Sequence, residues 1–248
     1  GGGPALAKEL PRVYDIPIYM LGVLPGREEG AIYQANAGRS LKTVVRESDA
    51  ALLIDNDAWK SSEETLEEGF DHINEEIARR VGLLLASGEA VEGVGESVVD
   101  SSEIINTLKD GGIASLGYAS AEAAEDPGEN VNTITSLTRK ALLTGMSLPD
   151  AVDAEAALVV VAGDPERISR KGVERARKWV EEETGSLQVR GGDFPLESDR
   201  LAVLVLLGGV ERSTRIQEFM ERAREAHQET ENRDPVEQFG NEDLEDLF

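Results

Sequence analysis

The chain has 248 residues, 40% of them hydrophobic, with no cysteine, two histidines and a net charge of −24 from 49 Asp plus Glu against 25 Lys plus Arg. That apolar content is enough for real cores, while the missing cysteines exclude disulfides, thiol catalysis and cysteine-ligated metals, and His72 and His227 lie too far apart in sequence to suggest a histidine-rich metal site or a serine–histidine triad. An acidic surface of this strength repels nucleic acid and anionic membranes, and no apolar run approaches the roughly 20 residues of a membrane span.

In chain order, "GGGPALAKEL" places glycines before a helix start, where exposed N–H groups and the helix dipole favour an anion, although a plain turn has the same composition. "ALAKELPRVY" (5–14) reads as a short helix broken at Pro11, and "IPIYMLGVLP" (16–25) as a strand ended by proline. A polar turn and a helix follow in "GREEGAIYQANAGRSLKTVVRES", with Leu41, Val44 and Val45 inward, and then a buried strand "AALLID" (50–55). Alternating helix and strand predict a mostly parallel α/β sheet whose ligands sit beyond the carboxyl ends of the strands, near Pro25–Gly30 and Asp55–Asn56.

From Ser62 to Ala86 the stripe Leu66, Phe70, Ile73, Ile77, Val81, Leu84 predicts one long amphipathic helix, capped by Ser61 or Ser62. "SGEAVEGVGESVVDSSE" (87–103) is a Gly-rich acidic loop leading into the helix "IINTL". A second α/β unit follows. It has a strand "GIASLGYAS", a loop at 121–132, a helix over 133–144 with Ile134, Leu137 and Ala141 on one face, and a buried strand at 156–163. Next come a helix between Ser169 and the Thr184–Gly185 stop, strands "LQVRGGDFP" and "RLAVLVLLGGV", and a closing helix "STRIQEFMERAREAHQ". From Glu229 the chain is acidic and poor in apolar residues and reads as a disordered tail, ending with Leu244, Leu247 and Phe248 as a harmless terminus or a partner-docking motif. The organisation is two half-sheets joined by one long helix.

Three positions carry recognition chemistry. Asn56 follows a buried strand at the ligand edge, and its amide offers both donor and acceptor to a purine edge; a cap or turn asparagine is the plain alternative. Phe70 and Asn74 stand i,i+4 on the long helix, an aromatic surface to stack a base beside an amide to read it, or else a core phenylalanine with a solvated asparagine.

Taken jointly, "GGGPALAKEL", "IDNDAW", "GFDHINEEI", "GESVVDSSEIINTL" and "GGIASLGYAS" resemble the tubulin/FtsZ superfamily, and most closely its haloarchaeal CetZ branch, over essentially the whole chain. The resemblance implies a partial Rossmann-like GTPase sheet, a long central helix and an α+β or α/β activation domain. It divides the chain into 1–61 of the GTP-binding domain, the central helix 62–87, an interface loop 88–103, the activation domain 104–228 and the tail 229–248. By resemblance Gly1, Gly2 and Gly3 are the back end of the phosphate-wrapping loop, and Glu29 stands where the family's ribose-contacting acid stands. Asn56 and Asn74 then read guanine and Phe70 stacks on it, while Tyr33 replaces an arginine of the family pattern. GTP or GDP with Mg²⁺ is the implied ligand, the metal held largely by phosphate oxygens and water.

The loop at 95–103 is the one that enters the neighbouring subunit in the family, and its Asn-x-Asp-x-x-Asp pattern aligns here with Val98, Asp100 and Glu103, so the asparagine is lost and both acids remain. A carboxylate there can orient the hydrolytic water, so Asp100 and Glu103 are the candidate catalytic residues; the alternative is a capping pair for "IINTL" with Ser101 or Ser102 as cap. Head-to-tail self-assembly follows, since such a heterologous contact generates filaments. The family's amino-terminal third has no counterpart among these residues, so little or no GTP affinity is expected of them alone. The acid content fits a salt-adapted cytoplasmic protein, in which screening weakens self-repulsion; an acidic mesophile protein is the alternative. Two other functions stay open: a non-catalytic module that caps or modulates filaments of full-length relatives, and an unrelated α/β enzyme with a nucleotide cofactor.

Overall fold

The computed structural model describes residues 2–59, 66–89 and 98–231; Gly1, 60–65, 90–97 and 232–248, with Leu244, Leu247 and Phe248, lie outside the described residues. The elements run α1 (Gly2–Glu9), a 3₁₀ turn (Leu10–Arg12), β1 (Tyr19–Leu24), α2 (Ala31–Glu47), β2 (Ala50–Asp55), α3 (Leu66–Gly88), α4 (Ser101–Leu108) and β3 (Ile113–Glu122). They continue with α5 (Asn130–Leu143), β4 (Ala154–Gly163), α6 (Arg170–Thr184), β5 (Gln188–Pro195), β6 (Arg200–Val210) and α7 (Thr214–Glu231).

The strands form one six-stranded sheet in the order β1-β2-β3-β6-β4-β5. Its two halves meet at a narrow joint, where β2 pairs with β3 through only Ala51↔Ile113 and Leu52↔Ala114. The sheet is mostly parallel, as expected, with β1–β2, β2–β3 and β4–β5 parallel; β6 is the exception, antiparallel to both β3 and β4. Only residues 196–199 connect β5 to β6, too short for the dozen or more residues of a parallel crossover. Val159–Val161 of β4 and Val203–Leu207 of β6 are fully buried, which explains why both read as unbroken apolar runs instead of alternating ones.

Side-chain alternation splits the core into layers. On one face α5 and α6 cover Ala157, Val159, Val161, Val203 and Val205, and beside them α2 and α7 cover Ala51 and Leu53 with Leu41, Val44 and Phe219. On the other face α3 and α4 cover Leu52, Leu116, Leu158, Val160, Leu204 and Leu206. Leu41 and Val44 face inward as expected, whereas Val45 is 37% exposed because Gln34 and Gly38 complete the buried stripe of α2. At Gly38 the two helices touch so closely that a β-carbon would stand 2.5 Å from Ala223 Cβ.

The termini of α6 follow local rules. Ser169 caps the start by accepting from the Gly172 N–H, and Gly185 ends it with φ 66°, a left-handed conformation glycine adopts without strain. The closing helix runs further than its sequence suggested: residues 229–231, assigned to the tail, continue α7.

Candidate functional site

The turn after β1 and the turn after β2 are knitted together at the carboxyl ends of the strands. Asn56 N–H donates to Leu24 O at 3.2 Å. The Glu29 carboxylate accepts from Gly26 N–H at 2.8 Å and from the Asn56 amide at 3.3 Å, so two residues singled out in the sequence are in contact. Buried Gln34 donates to Gly26 O at 2.7 Å and holds the first turn from beneath. Asp57 takes the Arg27 N–H at 2.7 Å, which joins the two turns a second time.

Two buried arginines secure this loop pair from opposite faces of the sheet. From α7, Arg215 places Nε 2.8 Å from Asp55 Oδ2, both side chains being fully buried, and donates through Nη2 to Pro25 O at 2.7 Å. From α3, Arg80 donates to Gly145 O through Nη2 at 2.6 Å and Nε at 3.2 Å, and through Nη1 to Glu76 Oε2 at 2.6 Å. Its guanidinium stacks 4.0 Å from the centroid of the Trp59 ring. Burial pulls the Arg80 guanidinium below its usual range against the pull of Glu76. For Glu76, burial acts upward, but the hydrogen bond and charge of Arg80, with Arg79 and His72, hold the carboxyl below its ordinary value.

Along α3, Asn74 precedes Arg80 by six residues, about 9 Å of helix. Both Phe70 (54% exposed) and Asn74 face solvent, whereas Ile73 between them is buried. Phe70 is therefore a surface aromatic, not the core residue that its place in the apolar stripe allowed. Gly2 and Gly3 form the first turn of α1. As helix they offer free N–H groups at one end but no loop to wrap a phosphate; Gly1 lies outside the described residues.

The second cluster sits at the far edge of the sheet. Asp100 is the N-cap of α4, accepting from Ser102 N–H at 2.8 Å and Glu103 N–H at 3.2 Å. Neither Ser101 nor Ser102 caps the helix; Ser102 Oγ instead donates to Asp100 at 2.5 Å. The hydrogen bond from that Ser102 side chain, joined by the two backbone donors, holds the Asp100 carboxyl below its ordinary value. Glu103 pairs with Arg190 of β5, Oε2 to Nε at 3.2 Å. Val98 bridges Asp193 in parallel, and Val99 N–H donates to Asp193 O at 3.1 Å, so β5 carries the loop on its outer edge.

Comparison with known proteins identifies the family. A family model for the carboxyl-terminal domain of tubulin-like CetZ covers residues 63–225. Over 251 residues the chain is 69% identical to the tubulin-like protein CetZ2 of Haloferax volcanii. The chain belongs to the CetZ family of tubulin-like proteins.

Tubulin-like CetZ1 of the same organism is 48% identical over 257 residues. This CetZ chain spans 70% of the length of CetZ2 and 65% of CetZ1. A GTPγS-bound protofilament of Haloferax volcanii CetZ2 superposes with a TM-score of 0.86 at 67% identity, over 94% of this chain and 67% of that one. The FtsZ dimer of M. jannaschii, at 19% identity and TM-score 0.67 over 84% of this chain and 59% of that one, shares the fold. Both the family and the α/β architecture expected from the motifs are thus borne out.

Within the CetZ frame the sequence missed four side chains that hold the site: Gln34, Arg80, Arg190 and Arg215. Arg80 left a faint signal, lying three residues after Ile77 and four before Leu84 on the inward stripe of α3. Among the described residues no helix is long and apolar enough to cross a membrane, and no group of three or more His, Asp and Glu is placed to hold a metal.

Proposed function

We propose that this chain is part of a tubulin-like cytoskeletal GTPase of a salt-adapted cytoplasm, assembling head to tail with like subunits and hydrolysing GTP at the subunit interface in support of cell shape. The observation that carries the reading is the placement of the two clusters. Glu29 and Asn56 stand in the turns that follow β1 and β2 at one edge of the sheet, while Glu103 pairs with Arg190 of β5 at the other, next to Val99, whose N–H donates to Asp193 O. Four strand spacings of about 4.8 Å separate β2 from β5, roughly 19 Å. That separation supports a ligand at Asn56 meeting the carboxylates of a neighbouring subunit, as a head-to-tail stack of like subunits would provide.

The residues present fit the base and ribose end of a guanine nucleotide. Among the described residues the Asn56 amide donates one long hydrogen bond, to Glu29, and Phe70 and Asn74 are exposed, so a base can be stacked and read without displacing the core. Among the described residues, the start of α1 offers free N–H groups to the phosphates. Mg²⁺, when bound, neutralises phosphate charge; it would be held by phosphate oxygens and water. Glu103 or Asp100 would orient the attacking water. Calorimetry with GTP and light scattering test the whole. Negligible GTP affinity is expected for these 248 residues alone, and micromolar binding would overturn that expectation.

A second reading, the modulator of full-length relatives, is supported by the anchoring of the end of the interface loop, Val98 and Val99, on β5. It predicts that adding the chain to a full-length CetZ changes its GTP turnover. Loss of that effect in the double variant Asp100→Ala, Glu103→Ala would assign it to the loop.

A further inference from the structure

Arg190 belongs to no motif of the sequence, yet Val98, Val99 and Glu103 at the end of the interface loop all meet its strand. The position where the family pattern has asparagine is Val98, whose backbone bridges Asp193 of β5, and the next N–H donates to Asp193 O. Three residues after Asp193 in the opposite sense along β5 stands Arg190, whose Nε meets Glu103 Oε2 and whose Nη2 donates to the Gln188 side chain at 3.1 Å. Asp100 meanwhile spends its Oδ1 on the cap of α4. Of the two carboxylates, Asp100 is therefore fixed by its own helix and Glu103 by a cation from another element.

Geometry narrows what Arg190 can do. A glutamate on the first turn of a short helix has three rotatable bonds, and a cation at 3.2 Å removes most of that freedom. The oxygen that faces Arg190, Glu103 Oε2, is buried, whereas the Glu103 side chain as a whole keeps 40% exposure, so the contact restrains the carboxylate while its other oxygen can still reach outward. A general base needs that combination of a held direction and a vacant lone pair.

We infer that Arg190 is a positioning residue for Glu103: from β5 it presets the carboxylate that acts on the neighbouring subunit's nucleotide. The inference rests on the interface reading of the loop, and it adds β5 to the machinery. It distinguishes Arg190 from a residue that would touch the phosphate itself, because an action routed through Glu103 must vanish once Glu103 can no longer act as base.

The test mixes this chain with full-length CetZ2 of Haloferax volcanii, kept below the concentration at which CetZ2 alone turns over GTP, and follows phosphate release against added chain. Glu103→Gln and Arg190→Gln should each lower the saturating rate by about tenfold or more, with the half-saturating concentration unchanged. The double variant should be no slower than Glu103→Gln alone, and Arg190→Lys should recover most of the rate. Thermal melts of each variant control for folding. Hydrogen exchange of the amides at 99–103 should quicken in Arg190→Gln and not in Arg190→Lys.

Multiplying losses in the double variant would overturn the inference in favour of direct contact with the phosphate. A shifted half-saturation or a lowered melting temperature with an unchanged saturating rate would overturn it in favour of a structural role. A silent Arg190→Gln beside a damaging Glu103→Gln overturns it while leaving the interface reading intact. Absence of stimulation by the unmodified chain, or a silent Glu103→Gln, overturns the interface reading and this inference together.

Discussion

The Arg80 guanidinium lies 4.0 Å from the centroid of the Trp59 ring, so the long helix α3 grips the loop that begins at Asn56. The same guanidinium reaches Gly145 O and Glu76, and it is fully buried. One side chain therefore joins the central helix, the Asn56 loop and the turn after α5.

Arg80→Met is expected to destabilise the chain by about 3–5 kcal/mol, the cost of breaking a buried pair and leaving a carboxylate and a carbonyl unpaired. Arg80→Lys should fall between, since a single ammonium cannot reproduce the fork that meets Gly145 twice. Urea unfolding followed by circular dichroism, at constant salt, measures both; a loss within error for Arg80→Met would contradict the clamp.

Acid lability should follow Glu76 and Asp100. Both carboxyls are depressed in the folded chain, so each adds stability that is present above the unfolded carboxylate range and is lost as pH falls through the lowered folded value. Unfolding titrations should show stability declining below about pH 4. A shallower acid limb is expected for Glu76→Gln and Asp100→Asn, and an unchanged limb in both would dismiss these two groups as its source.

Phe70 and Ile73 are three residues apart and should behave oppositely. Ile73→Ala empties a core position, at 5% exposure, and should cost about 2–5 kcal/mol. Phe70→Ala, at 54% exposure, should change stability by about 0.5 kcal/mol or less. Should a full-length relative carrying the Phe70 change keep its GTP affinity, the stacking role proposed for this ring would be lost.

Glycine substitutions test how tightly α4 sits on the sheet. A β-carbon at Gly208 of β6 would stand 2.1 Å from Thr107 O, a backbone atom that cannot rotate away, so Gly208→Ala should destabilise by about 1–3 kcal/mol or more. Gly82, on the exposed side of α3 with open space around it, is the control: Gly82→Ala should stabilise by about 0.5–1 kcal/mol. Differential scanning calorimetry reads both signs in one series.

Helices and strands were legible wherever a local rule acts. The Ser169 cap, the Gly185 stop and the apolar runs of β4 and β6 each depend on residues within one element. Asp100 and Glu103 were legible as residue types in a spacing, but the cap proved to be Asp100 itself and not a neighbouring serine. Phe70 shared the apolar stripe of α3 with Ile73, and periodicity alone could not tell which of them the sheet would cover.

By itself, then, the sequence determined the periodic elements, the two ends of α6, the family motifs and the charge, because each is written in residues close together in the chain. Tertiary structure decided that β6 runs antiparallel between β3 and β4, that Arg80 and Arg215 are buried behind the Asn56 loop, and that Arg190 holds Glu103. Those outcomes depend on strand pairing across the sheet and on the loss of water around a few charges. Neither leaves a period in the sequence, since the partners come from elements far apart in the chain and meet only once the sheet has brought them together.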